Sequence, residues 1–236
     1  MNNKKCLFSI LSKSHIKGFK VFSKSLLKLN PWVEVVGLEI LIVPIDLNEE
    51  DKKTCEEFYK NIIWIDADKS LINKSESSAK IGASAHFKLQ AFNIPDYETV
   101  ISIDCADMLF TGDISQLFSY NTHIGMVQGW TPVAKWQQFN GGLVVLSKKF
   151  RNKETYEKIK SQPSSYMHDQ DIINNLFKGE ITKLPTAFNF SKRMIECKEV
   201  DIKDAKIIHF VGENPWEEYP EKNKFKNIER LWQAYV

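Results

Sequence analysis

The feature that most constrains this chain is an alternation, over its first 103 residues, of short apolar runs with longer stretches whose apolar residues recur at helical spacing. The runs at 6–11, 39–43, 62–65 and 100–103 have strand length, and the third reads as a buried strand. Between them, 16–29 repeats Ile, Phe, Val and Leu at helical intervals before breaking at Asn30-Pro31. Residues 48–59 form a charged helix with Asn48 as its cap and Phe58 facing inward, and 77–92 reads as a helix stopped by Pro95. Strands and helices alternating at this pitch imply an α/β fold, a mostly parallel sheet covered by helices.

After residue 120 the pattern changes. Residues 125–128 and 142–146 read as short strands flanking a polar loop, 169–177 as a helix, and 207–211 as a closing strand. No repeat, low-complexity tract or linker divides the 236 residues, and only 217–230 is charged enough to lie loosely on the surface. Thirty-two basic against thirty acidic residues leave a net charge of +2, without the field of a nucleic-acid binder. No apolar stretch approaches the roughly 20 residues of a membrane span, and the N-terminal run is too short for a secretory signal. Cys6, Cys55, Cys105 and Cys197 show no C-x-x-C spacing, which argues against a zinc ribbon or redox pair and for a reduced compartment. A cytoplasmic location is the expectation.

In an open α/β sheet the ligand crevice lies beyond the carboxyl ends of the strands, so carboxylates just after an apolar run are the first candidates for chemistry. Two places qualify: Asp66-Ala67-Asp68 after Ile62-Ile63-Trp64-Ile65, and Asp104-Cys105-Ala106-Asp107 after Val100-Ile101-Ser102-Ile103. Such pairs can converge on a hard divalent cation, although a short acidic motif alone is more often a solvated turn. The second pair has the better company. A segment carrying the cations Lys80 and Lys88 precedes it, and the apolar Met108-Leu109-Phe110 follows it.

The string Phe87-Lys88-Leu89-Gln90-Ala91-Phe92, then Tyr97, then 100–107 and on through Met108-Leu109-Phe110-Thr111-Gly112-Asp113-Ile114, resembles the glycogenin-like glycosyltransferases, family eight of the nucleotide-sugar transferases. Phe139-Asn140-Gly141-Gly142-Leu143, Asp169-Gln170-Asp171, and Ile207-Ile208-His209-Phe210-Val211-Gly212 with Pro215-Trp216 resemble further blocks of that family, in its order. The likeness runs from about residue 6 to about residue 216. It implies a GT-A type single domain over 1–216, with a Rossmann-like, mostly parallel sheet, helices on both faces and a small second sheet. Residues 217–236 would be a tail packing on the same domain.

The resemblance implies a metal-dependent retaining transferase moving a hexose from a UDP-sugar, UDP-glucose or UDP-galactose, to an acceptor hydroxyl. The cation would be Mn²⁺, or Mg²⁺ in its place, held by Asp107, His209 and Asp104. Asp107 and Asp169 would carry the catalysis, Asp169 near the anomeric centre, as nucleophile or beside a same-face reaction. Ser9, Leu11 and Ser12 would line the uridine turn, His15 would stack on uracil, and Lys80 and Lys88 would lie near the phosphates. Asn140 and Gly141 would sit against the sugar, Gln170 with Asp169 would bind its hydroxyls, and Cys105, Ala106 and Gly212 would complete the donor site. The acceptor would be a glycan, a lipid-linked sugar or a protein, and a homodimer is compatible with the resemblance.

Two departures stand out. The family separates its acids by one residue, whereas here Cys105 and Ala106 separate Asp104 from Asp107, placing Cys105 where the first acid belongs. The family's Lys before Pro-Trp is replaced by Glu213-Asn214 in a segment one residue shorter. Both motivate an alternative, a weak UDP-sugar hydrolase or a UDP-sugar-binding protein on the same fold. Residues 169–209 contain no Tyr, so glycogenin's self-glucosylation at a Tyr in that stretch is not expected.

Overall fold

A computed structural model describes residues 4–74, 83–120, 122–162, 168–212, 214–217 and 225–236. Strand β1 (Lys5–Leu11) is followed by helix α1 (Ile16–Leu29), a single turn α2 (Trp32–Val35), β2 (Glu39–Pro44), α3 (Glu49–Phe58) and β3 (Ile62–Trp64). Then come β4 (Thr99–Ile103), β5 (Met108–Phe110), the hairpin β6 (Ile124–Thr131) and β7 (Lys135–Ser147), α4 (Lys153–Lys160) and α5 (Asp169–Leu176). The chain closes with β8 (Ile181–Lys183), β9 (Phe190–Ser191), β10 (Ile207–His209) and α6 (Lys226–Gln233).

Seven strands form one sheet in the order β3-β2-β1-β4-β7-β6-β8, and β5, β10 and β9 form a second. In the large sheet β7 alone runs against its neighbours; every other pairing is parallel. Period-two alternation of the strands sorts their side chains into two cores. Leu7, Leu11, Ile40, Ile42, Ile101, Ile103, Leu143 and Val145 pack with Phe19, Phe22 and Leu26 of α1 and with Cys55 of α3. From the opposite face Cys6, Phe8, Leu41, Val43, Val100, Val144 and Leu146 pack with Tyr156 and Ile159 of α4 and Ile172 and Ile173 of α5. With both faces covered, β1, β2 and β4 read as continuous apolar runs.

Asn48 caps α3 as the sequence predicts, accepting from the Asp51 amide at 2.9 Å while its own amide donates to the Asp51 carboxylate at 3.1 Å. Three expectations need correction. Residues 83–93 form a 3₁₀ segment rather than an α-helix, because His86, Phe87, Lys88, Leu89, Ala91 and Phe92 are all buried and leave no continuous solvent face for an amphipathic helix; residues 77–82 lie outside those described. Strand β3 is an edge strand, with Ile63 37% exposed, not a buried one. The segment expected to lie loosely on the surface ends in α6, whose Ile228 and Trp232 are buried with Val21, Leu109, Ile208 and Phe210 against the small sheet. Among the described residues no helix is long and apolar enough to cross a membrane.

Candidate active site

Strand β4 ends at Ile103, and the loop beyond it carries Asp104 to the carboxyl end of the parallel sheet; the Asp104 amide donates to the Gly142 carbonyl of β7 at 3.0 Å. Four residues later, at Met108, the chain enters β5, which pairs antiparallel with β10 so that Met108 lies opposite His209. The Phe210 amide donates to the Asp107 carbonyl at 2.8 Å. That pairing sets His209 Nε2 3.2 Å from Asp107 Oδ2 and 3.7 Å from Asp104 Oδ2. One ligand atom from each of the three residues lies within 4.8 Å of the others, the one such metal-ready group among the described residues. The structure thus brings together the three residues that the resemblance implies as cation ligands. Asp68 of the competing pair accepts from the Tyr156 hydroxyl at 2.7 Å and from Ser70, a structural anchor.

The packing around the cluster requires two glycines. A Cβ at Gly18 of α1 would stand 2.0 Å from the Ala106 carbonyl oxygen, so only glycine lets the acidic loop lie on that helix. At Gly142 a Cβ would stand 2.3 Å from His209 Cε1. Behind the imidazole, Nδ1 lies 2.8 Å from Asn189 Oδ1, Asn189 donates to Asn140 Oδ1 at 2.9 Å, and the Gly142 amide donates to the same oxygen at 2.9 Å. Asn189 thus keeps a proton on Nδ1 and leaves Nε2 toward the acids. Sequence reasoning missed Asn189; its one signal is a polar residue between Phe188 and Phe190, at the end of the 3₁₀ turn that leads into β9.

Charge in the site is balanced by Lys88. Its ammonium, 8% exposed, lies 2.6 Å from Asp104 Oδ1 and 3.4 Å from Asp169 Oδ2, and donates to the Gly141 carbonyl at 2.9 Å. Burial works against this charge, but Asp104 and then Asp169 outweigh it and hold the lysine protonated, its pKa raised. Burial dominates at Asp104 and raises its pKa; at Asp107 burial is overcome by His209, and the carboxyl stays below its ordinary range. His209 in turn is raised, burial being outweighed by Asp107. Binding a cation through Nε2 therefore requires that ring to release a proton.

Asp169 opens α5, where the helix N-terminus favours a carboxylate, and its Oδ2 is buried without a hydrogen bond. Gln170 beside it accepts from the Gly141 amide at 3.2 Å and from Asn140 at 3.4 Å. Asn140, Gly141, Asp169, Gln170, Lys88, Asp104, Asp107 and His209 thus form one connected group.

A cleft of about 170 Å³ adjoins it, lined by Ile10, Ser12, His15, Ile45, Asp104, Cys105, Ala106 and Asp107. Ser12 bonds His15 Nδ1 at 2.6 Å, and the imidazole meets Trp216 edge-on at 5.6 Å. Ser9 and Leu11 do not reach this cleft. The Ser9 hydroxyl is spent on the Ile103 carbonyl and the Cys105 amide, and Leu11 belongs to the core. Lys80, Glu213, Lys222 and Lys224 lie outside the described residues, while Gly212 is exposed at φ +95°.

A divalent cation fits this group. Asp107 Oδ1 is buried with no hydrogen-bond partner among the described residues, an acceptor left open for a cation. Two carboxylates and an imidazole form a donor set suited to Mn²⁺ or Mg²⁺.

Residues 6–219 match the sequence family described as glycosyl transferase family 8. No curated protein sequence matches the chain. Among solved structures, the galactosyltransferase LgtC, crystallised with donor and acceptor sugar analogues, is similar at 17% identity and a TM-score of 0.73, over 97% of this chain and 95% of that one. The glycosyltransferase GlyE of Streptococcus pneumoniae is similar at 17% identity and 0.72, over 98% and 60%. Mouse xyloside xylosyltransferase 1 is similar at 14% identity and 0.61, over 87% and 97%. At these identities the structural likeness shows a shared GT-A fold.

Proposed function

From the premise that the chain belongs to glycosyl transferase family 8, we propose that it is a metal-dependent, retaining hexosyltransferase that takes UDP-glucose or UDP-galactose as donor. The observation that carries this reading is the Asp104, Asp107 and His209 group standing beside the Ser12 and His15 cleft. Asp104, Asp107 and His209 would hold Mn²⁺ or Mg²⁺, which when bound neutralises charge developing on the diphosphate leaving group. His15 and Ser12 form the wall that takes the base, His15 held by Ser12 and Trp216. Lys88 holds Asp104 and Asp169 side by side, and Asp169 Oδ2, buried without a hydrogen bond, would face a developing positive charge at the anomeric carbon. Gln170 and Asn140, already fixed to one another, orient sugar hydroxyls.

All four cysteines are buried and unbridged, which supports a reducing compartment, the cytoplasm. The absence of Tyr from 169–209 supports a separate acceptor, a glycan, lipid-linked sugar or protein. One observation favours a second reading, slow donor hydrolysis. Asn214, at the position before Pro215, brings no cation and turns its amide to Glu217 at 2.9 Å.

Calorimetric titration of UDP with and without Mn²⁺, followed by UDP release from each UDP-sugar, tests the proposal. Binding at least about tenfold tighter with the ion supports it. Equal binding in both conditions would overturn it, and free hexose released at the same rate with and without glycan acceptors would establish hydrolysis instead.

A further inference from the structure

The segment after β10 begins at the candidate metal cluster, with His209, and ends at the opposite wall of the cleft. There Trp216 meets His15, and its ring would touch a Cβ at Gly18, the glycine beneath Ala106. The described residues 210–212 and 214–216 thus start at Asp107, whose carbonyl accepts from the Phe210 amide, and end at the His15 wall. Among them Gly212 stands at φ +95°, and against it lies the guanidinium of Arg193, whose Nη2 stands 3.4 Å from where a Cβ would be. The arginine is brought there by β9, which pairs parallel with β10 so that Ser191 lies beside His209. The Ser191 hydroxyl accepts from the Arg193 amide at 3.3 Å and starts the turn that carries the side chain outward.

The other cation of the site is committed. Lys88 is buried and held by Asp104, Asp169 and the Gly141 carbonyl. Arg193 is exposed, and no carboxylate among the described residues lies within ion-pair distance of it. A planar fork of donors with no carboxylate partner among the described residues, two positions beyond the residue paired with His209, matches one class of ligand group, a phosphate or diphosphate.

We infer that Arg193 binds the diphosphate of the donor, between the cation ligands and the base wall. This rests on the proposed UDP-sugar reading. Gly212 serves it twice, by a backbone conformation that side chains rarely adopt and by leaving open the face on which the guanidinium lies.

The test is calorimetric, with Mn²⁺ present and UDP, UMP and uridine as probes, on the whole protein and on Arg193→Gln and Arg193→Lys, each checked for an unchanged melting temperature. Arg193→Gln should weaken UDP about tenfold or more and leave uridine unchanged, so that the preference for UDP over uridine narrows by the same factor. Arg193→Lys, which keeps the charge and loses the fork, should fall between. If the unaltered protein binds UDP in a Mn²⁺-dependent way and Arg193→Gln binds it as tightly, the assignment of Arg193 is overturned and the donor reading stands. If the unaltered protein shows no Mn²⁺-dependent UDP binding, the donor reading fails and the inference falls with it. An equal loss for UDP and uridine would also overturn it, showing that Arg193 only shapes the cleft.

Discussion

Substituting Gly142 by Ala tests whether His209 is held where a cation needs it. The added methyl would stand 2.3 Å from His209 Cε1, 2.6 Å from Nδ1 and 2.9 Å from Asn140 Oδ1. Ordinary carbon contacts begin near 3.5 Å, so the ring must retreat by about 1 Å. It cannot do so freely, because Nδ1 is tied to Asn189 at 2.8 Å and Nε2 to Asp107 at 3.2 Å. Overpacking costs about 1–3 kcal/mol and a lost hydrogen bond about 1 kcal/mol, while replacing a strand glycine returns about 0.5–1 kcal/mol. The net loss is about 2 kcal/mol, a fall in Tm of about 4–8 °C for a chain of this length. Mn²⁺ affinity should fall about 10–100-fold, as when a group positioning a metal ligand is disturbed. Thermal unfolding and Mn²⁺ titration of Gly142→Ala, His209→Ala and the double variant read both effects. With the imidazole gone only the Asn140 contact remains, so Gly142→Ala should cost at least about 1 kcal/mol less in that background. Additive stabilities together with unaltered Mn²⁺ binding in Gly142→Ala would refute the reasoning.

Two further outcomes are expected. Asp107→Ala should abolish the Mn²⁺ dependence of UDP binding, whereas Asp66→Ala, on the pair that serves as a structural anchor, should leave it unchanged; calorimetry showing the reverse would mean that the wrong acids have been assigned. Trp232→Ala should destabilise the protein by about 3–5 kcal/mol because the indole is 2% exposed, whereas Trp232→Phe should cost clearly less, because an aromatic ring remains and the indole N–H has no partner among the described residues to lose; equal, small shifts in denaturant midpoint would return α6 to the status of a loose tail.

The parts of the fold legible in the sequence are those where local pattern and tertiary environment agree. Strands β1, β2 and β4 are buried on both faces and so appear as plain apolar runs, and α1 carries one core-facing stripe. Strand β7 extends from Lys135 to Ser147, but its first half, Lys-Trp-Gln-Gln-Phe-Asn, is polar because it leans on α5 through Gln138 to Asp171 and Phe139 to Asn174. Only its apolar second half could be read. Residues 83–93 misled for the opposite reason, being buried nearly all round. Helix α6 was hidden by its charge, since its two buried apolar side chains, Ile228 and Trp232, stand within a run of Lys, Glu and Arg.

The candidate site divides in the same way. Asp104, Asp107 and His209 could be gathered because acids after a strand and a late histidine follow a known order, and the widened spacing proved compatible with convergence. What the sequence could not show is how charge is shared. Lys88 answers two carboxylates from within a segment that reads as an ordinary amphipathic helix, and Asn189 bonds His209, 20 residues further on, from just before the strand that pairs with β10. Neither relation has a local signature.

Asp104, Asp107 and His209 join two sheets. Asp104 follows β4 of the seven-stranded sheet, while Asp107 precedes β5 and His209 ends β10 of the three-stranded one. The small sheet already shares a core with the large one through Met108, Phe110 and Ile207, and packs its other face, Leu109 and Ile208, with α6. A ligand held by all three residues would add to that coupling, because an opening that parts β5 from β4 must first release it and would be suppressed by the full binding free energy. Motions within β2 and β3, which leave the three residues in place, would escape that constraint.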